Sequence, residues 1–231
     1  MISLNTVRYL PFEVTKACNM AAAHPLCPVN DPERYVFGDA TEALSDELIV
    51  QFWRWARFTM DFRGIILWHG YSEPTLVLNR LYALMDRIRE ADPGQPFQLF
   101  TNSTRFVQGF DLLKRTRYGP GGKDLDNRRE TVTGQGKPYA DMQAEGWCGR
   151  GWGWEIVIDH HGNWNLCCND WRCEEAVGNI RFDDWTQLLV RYYEKATRLR
   201  WQDEPSYLAL PRLCRACLDK NPGLHRSGAT F

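Results

Sequence analysis

Apolar and polar positions follow two periods along the first part of the chain. "VRYLPFEVT" is a β-rich run that ends just before Cys18. From Ser45 the stretch "SDELIVQFWRWARFTMD" repeats Leu48, Phe52, Trp55 and Thr59 at helical spacing, with Ser45 as N-cap and Asp46 and Glu47 in the first turn. "GIILWHG" is a short, nearly continuous apolar run, and "TLVLNRLYALMDRIREADPG" then sets Leu78, Leu81, Met85 and Ile88 on one helix face before Asp92-Pro93-Gly94 stops it. "PFQLFTNST" reads as a third strand and "RFVQGFDLLKRT" as a helix. Three βα units in succession predict a parallel sheet with helices packed on it, an α/β class.

The period is lost at "YGPGGKDLDNRRETVTGQGKPYADMQAEG", which is rich in glycine and charge and reads as a long loop. It divides the chain into a βα segment, 1–119, a linker, 120–146, and a smaller cysteine-rich α+β segment, 147–231. In the last of these, "WEIVID" and "NWNLCC" flank Asp159-His160-His161-Gly162, a hairpin signal that places both histidines in an exposed turn. "FDDWTQLLVRYYEKATRLR" is an amphipathic helix. No internal repeat or low-complexity tract is found.

Composition narrows the class. The 231 residues are 44% apolar, enough to bury a core, and the formal net charge of -1 gives no general attraction to nucleic acid or an anionic membrane. No stretch approaches the ~18 apolar residues of a membrane span, and the opening residues lack a secretory pattern, so a cytoplasmic protein is expected. In a reducing compartment the eight cysteines argue for metal ligation or redox work before disulfides.

Six of them, Cys148, Cys167, Cys168, Cys173, Cys214 and Cys217, lie in the C-terminal segment. Cys214-Arg-Ala-Cys217 can point two thiolates at one ion or cluster, and the hairpin can bring others; zinc and an iron-sulfur cluster both take four thiolates, so spacing leaves the two open. Cys18 follows the first strand and the segment Gly70-Tyr71-Ser72-Glu73-Pro74 follows the second. Thr101-Asn102 follow the third. All belong at the carboxyl edge of a parallel sheet, where α/β folds assemble sites. Glu73, held before a proline, offers a fixed carboxylate suited to an ammonium group.

In this order the motifs resemble the radical S-adenosylmethionine superfamily, in particular members with a C-terminal SPASM-type auxiliary-cluster domain. "CNM" and "CPVN" look like the two ends of the family's three-cysteine motif, with Asn30 in place of the last cysteine. "GYSEP" is similar to the glycine-rich segment that contacts the cofactor's methionine amino group, and "FTNST" to the Thr-Asn-Gly segment. "CGRGWGWEIVIDHHGNWNLCCNDW", "VGNIRFDDWTQLL" and "CRAC" resemble the auxiliary domain. The resemblance implies a shortened partial (β/α) barrel followed by a small SPASM-like domain. It implies Cys18 and Cys27 as ligands of one [4Fe-4S] cluster and Cys148, Cys167, Cys214 and Cys217 as ligands of another, with Cys168 and Cys173 as spare or substitute ligands. Gly70, Ser72, Glu73, Pro74, Thr101 and Asn102 would bind S-adenosyl-L-methionine. The implied reaction is reductive cleavage of that cofactor to a 5′-deoxyadenosyl radical, acting on a peptide or protein side chain.

The chain departs from the family in two ways. Asn30 is a poor substitute for a thiolate; His24 could supply a nitrogen ligand or be an ordinary loop residue. The segment before Tyr118 holds about three βα units, so its open side would need the auxiliary domain, a partner subunit or the substrate protein to cover it, and exposed strand edges favour oligomerisation. The alternative is a catalytically degenerate iron-sulfur or zinc-binding partner protein. Tryptophans 147, 152, 154, 164 and 171 read as an apolar shell around the auxiliary cysteines.

Overall fold

A computed structural model describes residues 3–19, 29, 43–68, 72–100, 155–168, 170, 172–198 and 208–215, with the backbone alone at 117–118 and 216–218. After β1 (Tyr9–Phe12) comes α1 (Asp46–Arg54), which starts as its sequence requires. Ser45 is extended, and its hydroxyl accepts from the Leu48 N–H at 3.2 Å. The buried stripe is Ile49, Phe52, Trp53, Ala56 and Met60. Of the expected stripe only Phe52 is fully buried; Leu48 and Trp55 pack half-buried at the core's edge, and Thr59 is exposed. The helix widens into a π-helical turn at Trp55–Thr59, where Met60 N–H bonds Trp55 O at 3.1 Å, and the extra residue per turn swings Thr59 outward.

β2 (Ile65–Trp68) begins beside Gly64, where a Cβ would lie 2.3 Å from Arg8 O, so the close approach to β1 admits no side chain. A 3₁₀ turn, Pro74–Val77, leads into α2 (Leu78–Ala91), which buries Leu81, Leu84, Met85 and Ile88. β3 (Phe97–Leu99) follows. The sequence places loop from Tyr118 onward, yet Arg117–Tyr118 pairs with β3 as a short parallel β4, too brief to carry an alternating pattern. The expected helix over 105–116 and the linker 120–146 lie outside the described residues.

The hairpin of β5 (Val157–Ile158) and β6 (Asn163–Asn165) joins the same sheet, and β7 (Gly178–Asn179) pairs with β6. The strand order is β4-β3-β2-β1-β5-β6-β7, so segments 1–119 and 147–231 share one sheet. α3 (Trp185–Thr197), capped by Asp184, packs Leu188, Leu189 and Tyr192 into the common core, and α4 (Arg212–Leu218) carries Cys214 and Cys217.

Two consequences of register position the chemistry. Phe12 pairs with Trp68, Trp68 with Leu99, Leu99 with Tyr118, and Phe12 with Ile158, so five parallel strands end level and their following loops leave one edge. The sheet also has two unlike faces. Phe12, Trp68, Leu99, Ile158 and Trp164 face α1, α2 and α3; Phe52 of α1 meets Phe12 at 6.2 Å and Trp164 at 5.6 Å edge to face. Leu67, Val157, Asn163 and Asn165 alternate with them onto the second face. Among the described residues no helix is long and apolar enough to cross a membrane.

Candidate functional site

The loops after β1 and β2 meet at the carboxyl edge. Thr15 Oγ1 accepts from Ala17 N–H at 3.1 Å, turning the chain toward Cys18, which is half-buried. Ala17 O in turn accepts from Glu73 N–H at 2.9 Å, so the residue before Cys18 and Glu73 are tied directly. Glu73 is 2% exposed, and its Oε1 accepts from Thr75 N–H at 3.0 Å and from Thr75 Oγ1 at 2.5 Å. The carboxylate therefore caps the turn that opens α2 and is locked by it. Ser72 is half-buried and Pro74 buried beside it. Cys27, Gly70, Thr101, Asn102 and Cys148 lie outside the described residues, as do His24 and Asn30.

Arg80, which the sequence did not single out, clamps both ends of the Cys18 loop. Its guanidinium donates to Val14 O, to Leu44 O at 2.6 Å and to the Asp46 carboxylate at 2.6 Å. Val14 precedes that loop and Leu44 ends it, so one side chain from α2 fixes where the loop leaves and returns.

Beside the loop a buried polar network closes the hairpin turn. His160 and His161 are 7% and 3% exposed, not the exposed turn residues the sequence implied. The turn is covered because His160 O accepts from Leu44 N–H at 2.7 Å and His161 O from the Arg181 guanidinium at 3.1 Å. Glu13, 1% exposed, receives the His160 N–H on Oε2 at 3.3 Å. Asp159 accepts from His161 and Asn163 N–H at 2.9 and 2.8 Å, and from Asn163 Nδ2 and the Cys173 thiol at 2.9 and 3.2 Å. Burial pushes the Asp159 carboxyl up, against the Asn163 hydrogen bond and helped by the Glu13 charge. Burial holds His160 down to about 4, against the pull of Glu13, so its ring is neutral near pH 7. Cys173 is 1% exposed, at φ 58°, and its thiol ties the hairpin to Asp159.

Cys167 and Cys168 follow β6, both half-buried. Cys168 N–H donates to Glu155 Oε1 at 3.0 Å, and Asp170 N–H to Cys167 O at 3.1 Å. Asp170 is 1% exposed, and burial pushes its carboxyl up to about 8. On α4, Cys214 packs half-buried against the main core, and Cys217 lies three positions on. Among the described residues no group of three or more His, Cys, Asp or Glu stands ready to hold a metal ion. Trp164 sits in the main core between Phe52 and Tyr192, 5.6 Å from each ring, which removes it from the expected shell around the cysteines. Trp147, Trp152, Trp154 and Trp171 lie outside the described residues.

No protein-family model matches the chain, and no curated protein matches it. Solved structures do. BtrN in an open conformation aligns at a TM-score of 0.57 with 17% identity, covering 91% of this chain and 92% of BtrN. BtrN in complex with AdoMet and 2-DOIA aligns at 0.56 with 15% identity, over 93% of each chain. The likeness extends across both segments and gives this chain a fold like that of BtrN.

Proposed function

We propose that this chain is a radical S-adenosylmethionine protein whose cofactor binds at the carboxyl edge of β1 and β2. The observation that carries the reading is the Ala17–Glu73 hydrogen bond, which joins a thiol-bearing loop to a buried, immobilised carboxylate on a fold like that of BtrN. The donor set fits: Cys18 and Cys27 are soft ligands suited to iron, and Glu73 offers a charge for the cofactor's ammonium group. When bound, the cluster supplies one-electron reductive cleavage of a sulfonium carbon–sulfur bond.

The protein's own part is positional. Thr75 holds Glu73 in one orientation, so little side-chain entropy is lost on binding. Arg80 holds the ends of the cysteine loop through Val14 O and Leu44 O. Cys148, Cys167, Cys214 and Cys217 form a second thiolate set, which we assign to an auxiliary iron-sulfur group.

Iron and sulfide per chain, measured on anaerobically purified protein, and calorimetric binding of S-adenosylmethionine test the reading. We expect about eight irons, two four-iron groups, with Glu73→Gln weakening cofactor binding at least tenfold at unchanged iron content. Absence of binding in the parent, or equal binding in the variant, overturns the assigned site. About four irons without cofactor binding selects the degenerate alternative, which Asn30 in the place of a third cysteine favours.

A further inference from the structure

The second face of the sheet holds a polar side chain that the described protein leaves unsatisfied. Asn165 ends β6 with 0% exposure, and neither its Nδ2 nor its Oδ1 has a hydrogen-bond partner. The hairpin does not treat its other amides this way. Asn163 gives Nδ2 to Asp159 at 2.9 Å and receives Asn179 on Oδ1 at 2.8 Å, while Asn179 Nδ2 also reaches His161 O at 3.2 Å. Buried carboxamides are nearly always paired, because desolvating one without a partner is costly; an orphan marks a place for a group not supplied by the protein.

Its position says which group. Along β6 Trp164 enters the core on the helix face, so Asn165, the strand's last residue, lies on the second face. Cys167 follows two residues on, in the bend that leaves β6. Across the hairpin Val157, 2% exposed, is the register partner of Asn165, so the amide is walled from water on that side. Glu155 Oε1 accepts from the Cys168 N–H at 3.0 Å, which ties down the bend that carries Cys167. A second buried atom without a partner, Asp170 Oδ1, lies in the loop that Cys167 opens. A dry N–H donor close in the chain to a ligating thiolate is placed to tune an iron-sulfur group, since sulfur accepts the hydrogen bond and loses electron density.

We propose that Asn165 donates its Nδ2–H to a sulfur of the iron-sulfur group held by Cys167, and that this bond raises the group's reduction potential. The inference rests on the assignment of Cys148, Cys167, Cys214 and Cys217 as ligands. It is tested on the full chain, purified without oxygen, by a potentiometric titration followed by EPR. Asn165→Leu, close in volume but without a donor, should retain its iron and titrate at a more negative potential than the parent. In metal-free protein the same substitution should leave the urea midpoint unchanged or higher, because no protein group loses a partner. Asn165→Ala gives a second potential should the leucine fail to fold.

An unchanged potential in an iron-replete variant overturns the inference and leaves the ligand assignment standing. Iron content unaltered by Cys167→Ser and Cys214→Ser, or zinc in place of iron, overturns both.

Discussion

His160 makes stability depend on pH in a direction the structure fixes. Its ring is 7% exposed and its pKa is held down from 6.5 to about 4. Above pH 6.5 the ring is neutral in both folded and unfolded chains and contributes no pH dependence. Below that the unfolded chain takes up a proton that the folded one refuses until about pH 4, so stability falls as pH falls through this window. At ~1.36 kcal/mol per unit, the loss from this group between pH 7.5 and 5.0 is about 2 kcal/mol. Urea unfolding of the parent and of His160→Gln at both pH values isolates the contribution. The variant starts less stable, having lost ring packing against His161 at 5.2 Å, but should lose about 2 kcal/mol less on acidification. Equal losses in the two proteins, or a parent that gains stability at pH 5.0, would refute the burial of this ring in the turn.

Gly64→Ala should destabilise by more than about 2 kcal/mol in urea unfolding, because its Cβ would meet Arg8 backbone at 2.3 Å where β1 is pinned on both sides. Trp53→Phe removes the donor to Gln95 Oε1 at 3.0 Å in a buried site and should cost about 1–3 kcal/mol; adding Gln95→Leu should recover part of it. In metal-free protein, iodoacetamide should label half-buried Cys167, Cys168 and Cys214 well before Cys173, which is 1% exposed. Peptide mass mapping reads the order, and early labelling of Cys173 would contradict its placement against Asp159.

The sequence disclosed the layout better than the environment of single residues. β1, α1, β2, α2 and β3 fall where the two periods place them, because long apolar patterns such as Leu81, Met85 and Ile88 average over many residues. A π-helical turn cannot be read from such averages, and it lies where the expected stripe would have continued through Trp55 and Thr59. The hairpin around Gly162, at φ +88°, was legible from its turn chemistry, but not the burial of His160 and His161. That burial depends on Leu44 and Arg181, distant in sequence, and no local signal carries it. Alternation in "NWNLCC" tells which residues share a face and is silent on what covers it. Glu13, Asp159, Asn163 and Arg80 were missed on this account.

Strand direction separates the two thiol sets. Cys18 and Glu73 lie beyond Phe12 and Trp68, at the carboxyl edge, whereas β6 runs against β5 and returns the chain toward the amino edge. Tyr9, the first residue of β1, is bridged to Glu155, and Glu155 holds the N–H of Cys168, the neighbour of Cys167. The rise from Tyr9 to Phe12 alone is ~10 Å at ~3.3 Å per residue, and Cys18 lies farther still. Cys18 and Cys167 cannot then share one ion, and losing one should leave the site of the other in place. Cys214→Ser should lower iron content without weakening S-adenosylmethionine binding, and Cys18→Ala should do the reverse to the cofactor while sparing the auxiliary iron. Loss of cofactor binding in Cys214→Ser, in a variant whose circular dichroism matches the parent, would show that the sheet does not hold the two centres apart.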